Sequence, residues 1–306
     1  MPDLTPNLGL KKPIGTETVS RASYNENLDI MDSNAAKASH NHDGAYDALG
    51  AADDVQETLT AHLAEKATLS TYGHVKINRG SSDVVPACTT GNITLYVRTD
   101  GSDSNDGSAN DAAHALLTIQ AAVNKLPQII NHNANINVAA GTYAEDVMIK
   151  GFTGKGEFYL NGGTNLTTAA NFTVNSISIT KCDSLYMKVT GFTAIGTTVT
   201  VQSGFAATYS SGQQDFFFCI CTTSSAYAGF SSGVAVTVYF QTCKVANRGV
   251  GLQHNMGMCV SDSWDAGSTG NTIGLKAMYG GQLAKNGTQP AGTTAESALY
   301  GGVIHA

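Results

Sequence analysis

The chain has 306 residues and a formal net charge of −7, with 42% hydrophobic and 13% charged residues. That length suits one large domain or two smaller ones, and the charged fraction is about half that of an ordinary globular protein. No Lys/Arg-rich stripe supports nucleic-acid binding, no apolar run approaches the roughly 18 residues of a membrane span, and the N-terminus lacks the apolar core of a secretory signal.

Gly is high, at 33 residues, and Thr, Ser and Asn are abundant. Such a composition suits the strands and turns of a repetitive β protein. Charge is uneven, because the first 80 residues carry nearly as many charged side chains as the much longer remainder. A boundary is therefore expected near Asn78–Asn92, a stretch of turn formers and Pro.

The first regime reads as helical. Ser23 and Glu26 in "SYNE" predict a capping box ahead of Leu28, Ile30 and Met31. His40 and His42 follow in "SHNHDG", where residues two apart in a strand share a face. Three such chains would gather six imidazoles round one axis, a set suited to an octahedral transition metal. The bland alternative is a polar turn, since Asp43 and Gly44 come next. From Asp47 to Leu69, the residues Leu49, Ala52, Gln56, Leu59, Leu63 and Lys66 mark a weak heptad seam. Gly73, His74 and Val75 follow, and no nucleophile or orienting acid adjoins His74, so it is expected to pack rather than catalyse.

The second regime opens with "YVRTDGSDSNDGSANDAAHALLTIQAAVNKLP" (Tyr96–Pro127). A calcium loop of the EF-hand type needs Gly at its sixth position and Glu at its twelfth. Counted from Asp100, these are Asn105 and Asp111. The stretch is expected to be a strand, a solvated loop and a short helix whose face of Ile119, Ala122, Val123 and Leu126 caps a β structure. Next come the apolar pairs Ile136/Val138, Val147/Ile149 and Phe158/Leu160, starting eleven residues apart with Gly between. Later, Ile177/Ile179, Phe216/Phe218 and Val238/Phe240 precede Cys182, Cys221 and Cys243 at offsets of five and three. Gly204 and Cys259 fit the same register. Spacings near 20 residues predict a β-solenoid, with Cys182, Cys221 and Cys243 as one buried, reduced ladder.

Zinc binding is not expected of the six Cys, because Cys219 and Cys221 are read as facing opposite sides of their strand. Carboxylates are scarce in this regime, and Arg248 is the only Arg after Arg98. Asp183 and Asp262 are the conceivable stacked pair for glycoside hydrolysis, but no catalytic residue is assigned. "SDSWDAG" holds the only Trp. Trp264 flanked by Asp262 and Asp265 would suit a glycan site, the alternative being a packed aromatic with solvated acids.

Tyr96–Pro127 followed by "INVAAGTYAEDVMIKG" resembles the start of the pectin-lyase-like β-helix domains of phage tail fibres and tailspikes. Asn7–Asp32 resembles the opening of fibre proteins of phages of Gram-positive bacteria, and His62–Ile77 resembles their Gly-His-Val repeat. The resemblance implies a homotrimer with a right-handed parallel β-helix. Residues 1–34 would attach to the tail or baseplate, 35–80 form a trimeric shaft, 81–94 link, and 95–306 form the β-helix with its capping helix. It implies a receptor-binding protein in the virion tail, assembled in the host cytoplasm, that meets a host cell-surface glycan without entering the membrane. It implies no cofactor beyond the metal that His40 and His42 would hold. The alternatives are a polysaccharide-cleaving tailspike and the fibre of a phage-derived contractile injection system.

Overall fold

The computed structural model describes residues 10, 20–36, 87–196 and 203–306. The chain divides into two units, 1–85 and 86–306. In the first, α1 spans Arg21–Ala36. It begins before the expected cap, since the Ser20 hydroxyl accepts the backbone N–H of Ser23 at 3.1 Å. Ser23 therefore lies inside the first turn, and the capping role belongs to Ser20. His40, His42, the heptad segment Asp47–Leu69, and Gly73, His74 and Val75 lie outside the described residues.

The second unit is a parallel β-solenoid of about seven turns. Each complete coil presents two long faces. One is built from Ile93–Val97, Asn133–Val138, Glu157–Asn161, Tyr186–Thr190, Gln213–Phe217, residues 237–241 and 258–262, Gln282–Asn286 and Val303–His305. The other contains Gly141–Lys150, Phe172–Thr180, Ser203–Thr208, residues 228–233 and 250–255, Asn271–Met278 and Gly292–Leu299. A short third face joins Thr193–Ala194, Ile220–Cys221 and Lys244–Val245.

Parallel in-register pairing puts like on like inside. Phe205 stacks on its partner Phe230 at 4.9 Å, and Phe216 on Phe240 at 5.2 Å. Each is fully buried, which is worth about 1.5–3 kcal/mol per side chain. The first coils are covered by α2 (Ile119–Lys125), which buries Ile119, Ala122 and Val123 and is capped by Thr118. Two acids hold this entrance, one from the opening loop and one from the second face. Asp103 accepts the N–H groups of Leu117 and Thr118, and Glu145 accepts those of Ile119 and Gln120.

Two corners repeat a left-handed residue. The first runs through Lys181, Tyr209, Val234, Met256, Tyr279 and Tyr300, with φ between 49 and 59°. The second runs through Gly191, Phe218, Thr242, Ser263 and Gly287. At the second corner the next residue turns inward, forming a column of Phe192, Cys219, Cys243 and Trp264.

The cysteine ladder is corrected by this geometry. Cys182, Cys221 and Cys243 are buried and free, but they occupy three different lines. Cys182 lies between Phe152 and Ser210, and Cys221 aligns with Val245. Cys243 stacks on Cys219, and Cys259 lies between Val238 and Leu283. Cys219 and Cys221 both point inward, as residues two apart in extended chain do. Coil length also differs from the expected period. It falls from 30 residues between the paired Asp146 and Ser176 to 21 between the paired Gln241 and Asp262.

Candidate functional site

A groove of about 740 Å³ runs along the outer surface of the second face. Outward-pointing side chains alternate with core residues along each strand. The register therefore lays Ser178, Ala206, Ser231, Gln253 and Lys276 in one row, and Thr180, Thr208, Gly233 and Asn255 in the next. The floor is thus mostly hydroxyls and amides. Some of them engage each other, Ser203 with Ser231 at 2.8 Å and Thr208 with Thr180 at 3.4 Å.

The first left-handed corner forms one rim. Tyr209, Val234, Met256 and Tyr279 line the groove from that ridge. Tyr209 is 59% exposed, Tyr279 52% and Tyr300 70%. Tyr279 and Tyr300 stack face to face on successive coils, with centroids 5.0 Å apart and planes within 6°. Exposed aromatic faces beside a floor of hydroxyls and amides are the groups that hold a sugar or polyol chain. Among the described residues no carboxylate lines the groove, Lys276 is its only Lys or Arg, and no acid pair of the kind that glycosidic cleavage needs is formed there.

The structure buries the indole of the glycan trio expected from the sequence. Trp264 is 2% exposed. Its Nε1 donates to the Ser261 hydroxyl at 2.8 Å, and its ring meets Phe230 edge-on at 4.9 Å. It follows the left-handed Ser263, so the chain turns it into the core. Asp262 accepts hydrogen bonds from Gln241, Ser263 and Asn286. Asp265 pairs with Lys244 at 3.2 Å, and the Gly267 N–H, more than that lysine, holds its carboxyl below the usual range. With the indole buried, these two acids have no sugar-stacking partner.

Asp183 and Asp262 do not stack either, because one follows the first corner and the other precedes the second. Arg248 is 1% exposed and donates to the carbonyls of Thr223, Gly196 and Ala228. It is a buried clamp between coils. No cluster of three or more metal-ligating side chains occurs among the described residues.

Sequence reasoning missed a second outward cluster on the other long face. Tyr159 donates to Glu157 at 2.5 Å and Tyr186 to Asp215 at 2.7 Å, with the two rings 6.0 Å apart. Burial and the adjoining carboxylate push the Tyr159 phenol up to about 12, and Tyr186 is raised for the same reasons. Lys188, in register with both Tyr159 and Asp215, sits over the Phe217 ring at 4.2 Å. Only register could have shown this grouping, since Glu157 and Asp215 are far apart in sequence.

No family model, curated protein or solved structure matches the chain.

Proposed function

We propose that the chain is a fibre or receptor-binding protein of a phage or phage-like particle. In this reading it is homotrimeric, attaches through its N-terminal region to a tail or baseplate, and meets a host-surface glycan along its solenoid. The winding is right-handed, and the assembly resides in the virion tail. The observation that carries the recognition role is the carboxylate-free groove with its hydroxyl floor and tyrosine rim. About seven coils at roughly 4.8 Å each give a stiff rod of roughly 30 Å, which supports a mechanical role. The sequence motifs of the first 80 residues support the particle assignment.

The test is adsorption of the purified chain to host cells, with Tyr279→Ala and Tyr209→Ala measured beside the parent. Loss of adsorption at an unchanged melting temperature supports the groove. Unaltered adsorption by both variants rejects it.

A second reading, cleavage of surface polysaccharide, is favoured by one observation. Glu157 and Asp215 share an outward face, each clamped by a tyrosine hydroxyl. Release of reducing ends from host-wall glycan, abolished by Glu157→Gln, would establish it. Absence of product from the parent chain would remove it.

A further inference from the structure

We infer that Lys285 and Glu296 form a charged lid over the C-terminal end of the solenoid core, and that this lid keeps a second copy of the chain from adding to that end. Two inward columns face each other across the core. One runs through Phe205, Phe230, Leu252, Leu275 and Glu296. The other runs through Phe216, Phe240, Ser261 and Lys285. Their rings meet across the interior, Phe205 with Phe216 at 5.9 Å and Phe230 with Phe240 at 5.4 Å.

Every member of the two columns before the last rung is buried and uncharged. At the last rung carbon gives way to charge. The Lys285 ammonium pairs with the Glu296 carboxylate across the end of the core, with 29% and 39% of the two side chains exposed. Their aliphatic stems continue the columns above Ser261 and Leu275, while the charged heads keep their access to water.

The same end presents strand edges. Gly292–Leu299 pairs with Asn271–Met278, and Val303–His305 pairs with residues 282–284. Neither strand is paired on its other side among the described residues. Ala298 and Ile304 take the neighbouring inward stations, above Ala277 and Leu283, so apolar surface adjoins the open edges. An edge of this kind is a template for another chain. The first coils are covered by α2. At the C-terminal end the ion pair takes that part. A second copy paired end to end would bury this pair together with its own, and the desolvation of the charges would outweigh their attraction. Inward-pointing charge at an edge is one way a sheet resists such pairing.

The experiment compares the full chain with two uncharged variants. Lys285→Leu/Glu296→Leu restores carbon to the last rung, and Lys285→Met/Glu296→Gln removes the charges at nearly constant side-chain length. Light scattering and small-angle X-ray scattering are read across a range of concentrations against the parent's own mass. Both variants are expected to associate. A contact between two identical ends is closed by its two-fold symmetry, so the mass should level off at about twice the parent's. The particle should lengthen at a constant cross-section. Lys285→Glu/Glu296→Lys, which keeps a pair with its order reversed, should keep the parent's mass. The parent's mass at every concentration in either folded uncharged variant would overturn the inference. So would association that thickens the particle, or association of the charge-reversed chain. Failure of both uncharged variants to fold would make the pair a requirement of folding and overturn its reading as a lid.

Discussion

Replacing Trp264 by Ala separates a core residue from a ligand platform. The indole is 2% exposed and packs against Phe230 and Phe240, both fully buried. Removing it deletes a large aromatic from a close-packed interior, a loss of about 3–5 kcal/mol. Its N–H also serves the Ser261 hydroxyl, which in turn donates to Gln289. Trp264→Phe keeps most of the apolar contact and drops that bond, so it should cost about 1–2 kcal/mol. Urea unfolding followed by far-ultraviolet circular dichroism gives both values, since the fluorescence of the sole Trp is lost with the mutation. A loss below about 1 kcal/mol for Trp264→Ala would refute the packing argument. Lost adsorption at unchanged stability would restore Trp264 as a contact residue.

Three other outcomes follow from the interior. Of the six thiols only Cys88 is exposed, so native labelling should modify one Cys per chain quickly. Burial raises the thiols of Cys182, Cys221, Cys243 and Cys259, and rapid labelling of any of these four would contradict their placement. His254 is fully buried beside Ser232, and burial depresses its pKa below the ordinary 6.5. The unfolded chain therefore binds this proton more readily. Stability should be full above pH of about 6.5 and fall as pH drops toward the folded value, and His254→Gln should flatten that fall in pH-dependent melts. Finally, a Cβ on Gly204 would meet the Cys221 sulfur at 2.5 Å. Gly204→Ala should destabilise by about 1–3 kcal/mol, with much of the loss recovered in the double variant with Cys221→Ala. Equal losses in both backgrounds would show that the sulfur is not the obstacle.

Much of the solenoid was legible in the sequence because inward positions alternate with outward ones. Ile136, Val147, Ile149, Phe158 and Leu160 are all buried, as their period of two requires. The eleven-residue step between the pairs has a different meaning from a coil. Ile136 pairs with Leu160, whereas Val147 and Ile149 belong to the other long face and pair with Ile177 and Ile179. The cysteine register slipped for a related reason. Both corners use the same local pattern of two inward residues, an outward residue, a left-handed residue and another inward one. Ile177, Ile179 and Cys182 obey it at the first corner, and Val238, Phe240 and Cys243 obey it at the second. The equivalent of Cys243 in the preceding coil is Cys219, reached from Gln214 and Phe216. Gln214 is fully buried, and a polar residue at an inward station hides the register from an apolar filter. Trp264 continues the series from Cys259 and Ser261. The groove was illegible because its floor is assembled from residues one coil apart, and coil length varies.

The ridge shows where the fold departs from its cheapest solution. A left-handed residue other than Gly costs about 1–2 kcal/mol, and Asn or Gly is the ordinary occupant of such a turn. Glycine does serve at Gly151, Gly191 and Gly287, so these corners accept it. Yet the groove side of the first corner uses Tyr209, Val234, Met256 and Tyr279 in succession. Val234 is β-branched, the least suited of all to positive φ. Burial does not compensate for the two tyrosines, which are more than half exposed. Core packing therefore gives no reason to place these side chains there. The reason consistent with their position is the one they share, a continuous aromatic and aliphatic rim over a hydroxyl-lined floor. The second corner also holds left-handed Phe218, Thr242 and Ser263, so the left-handed station belongs to the turn of the coil, and what sets the first corner apart is the exposed side chains it presents beside the groove.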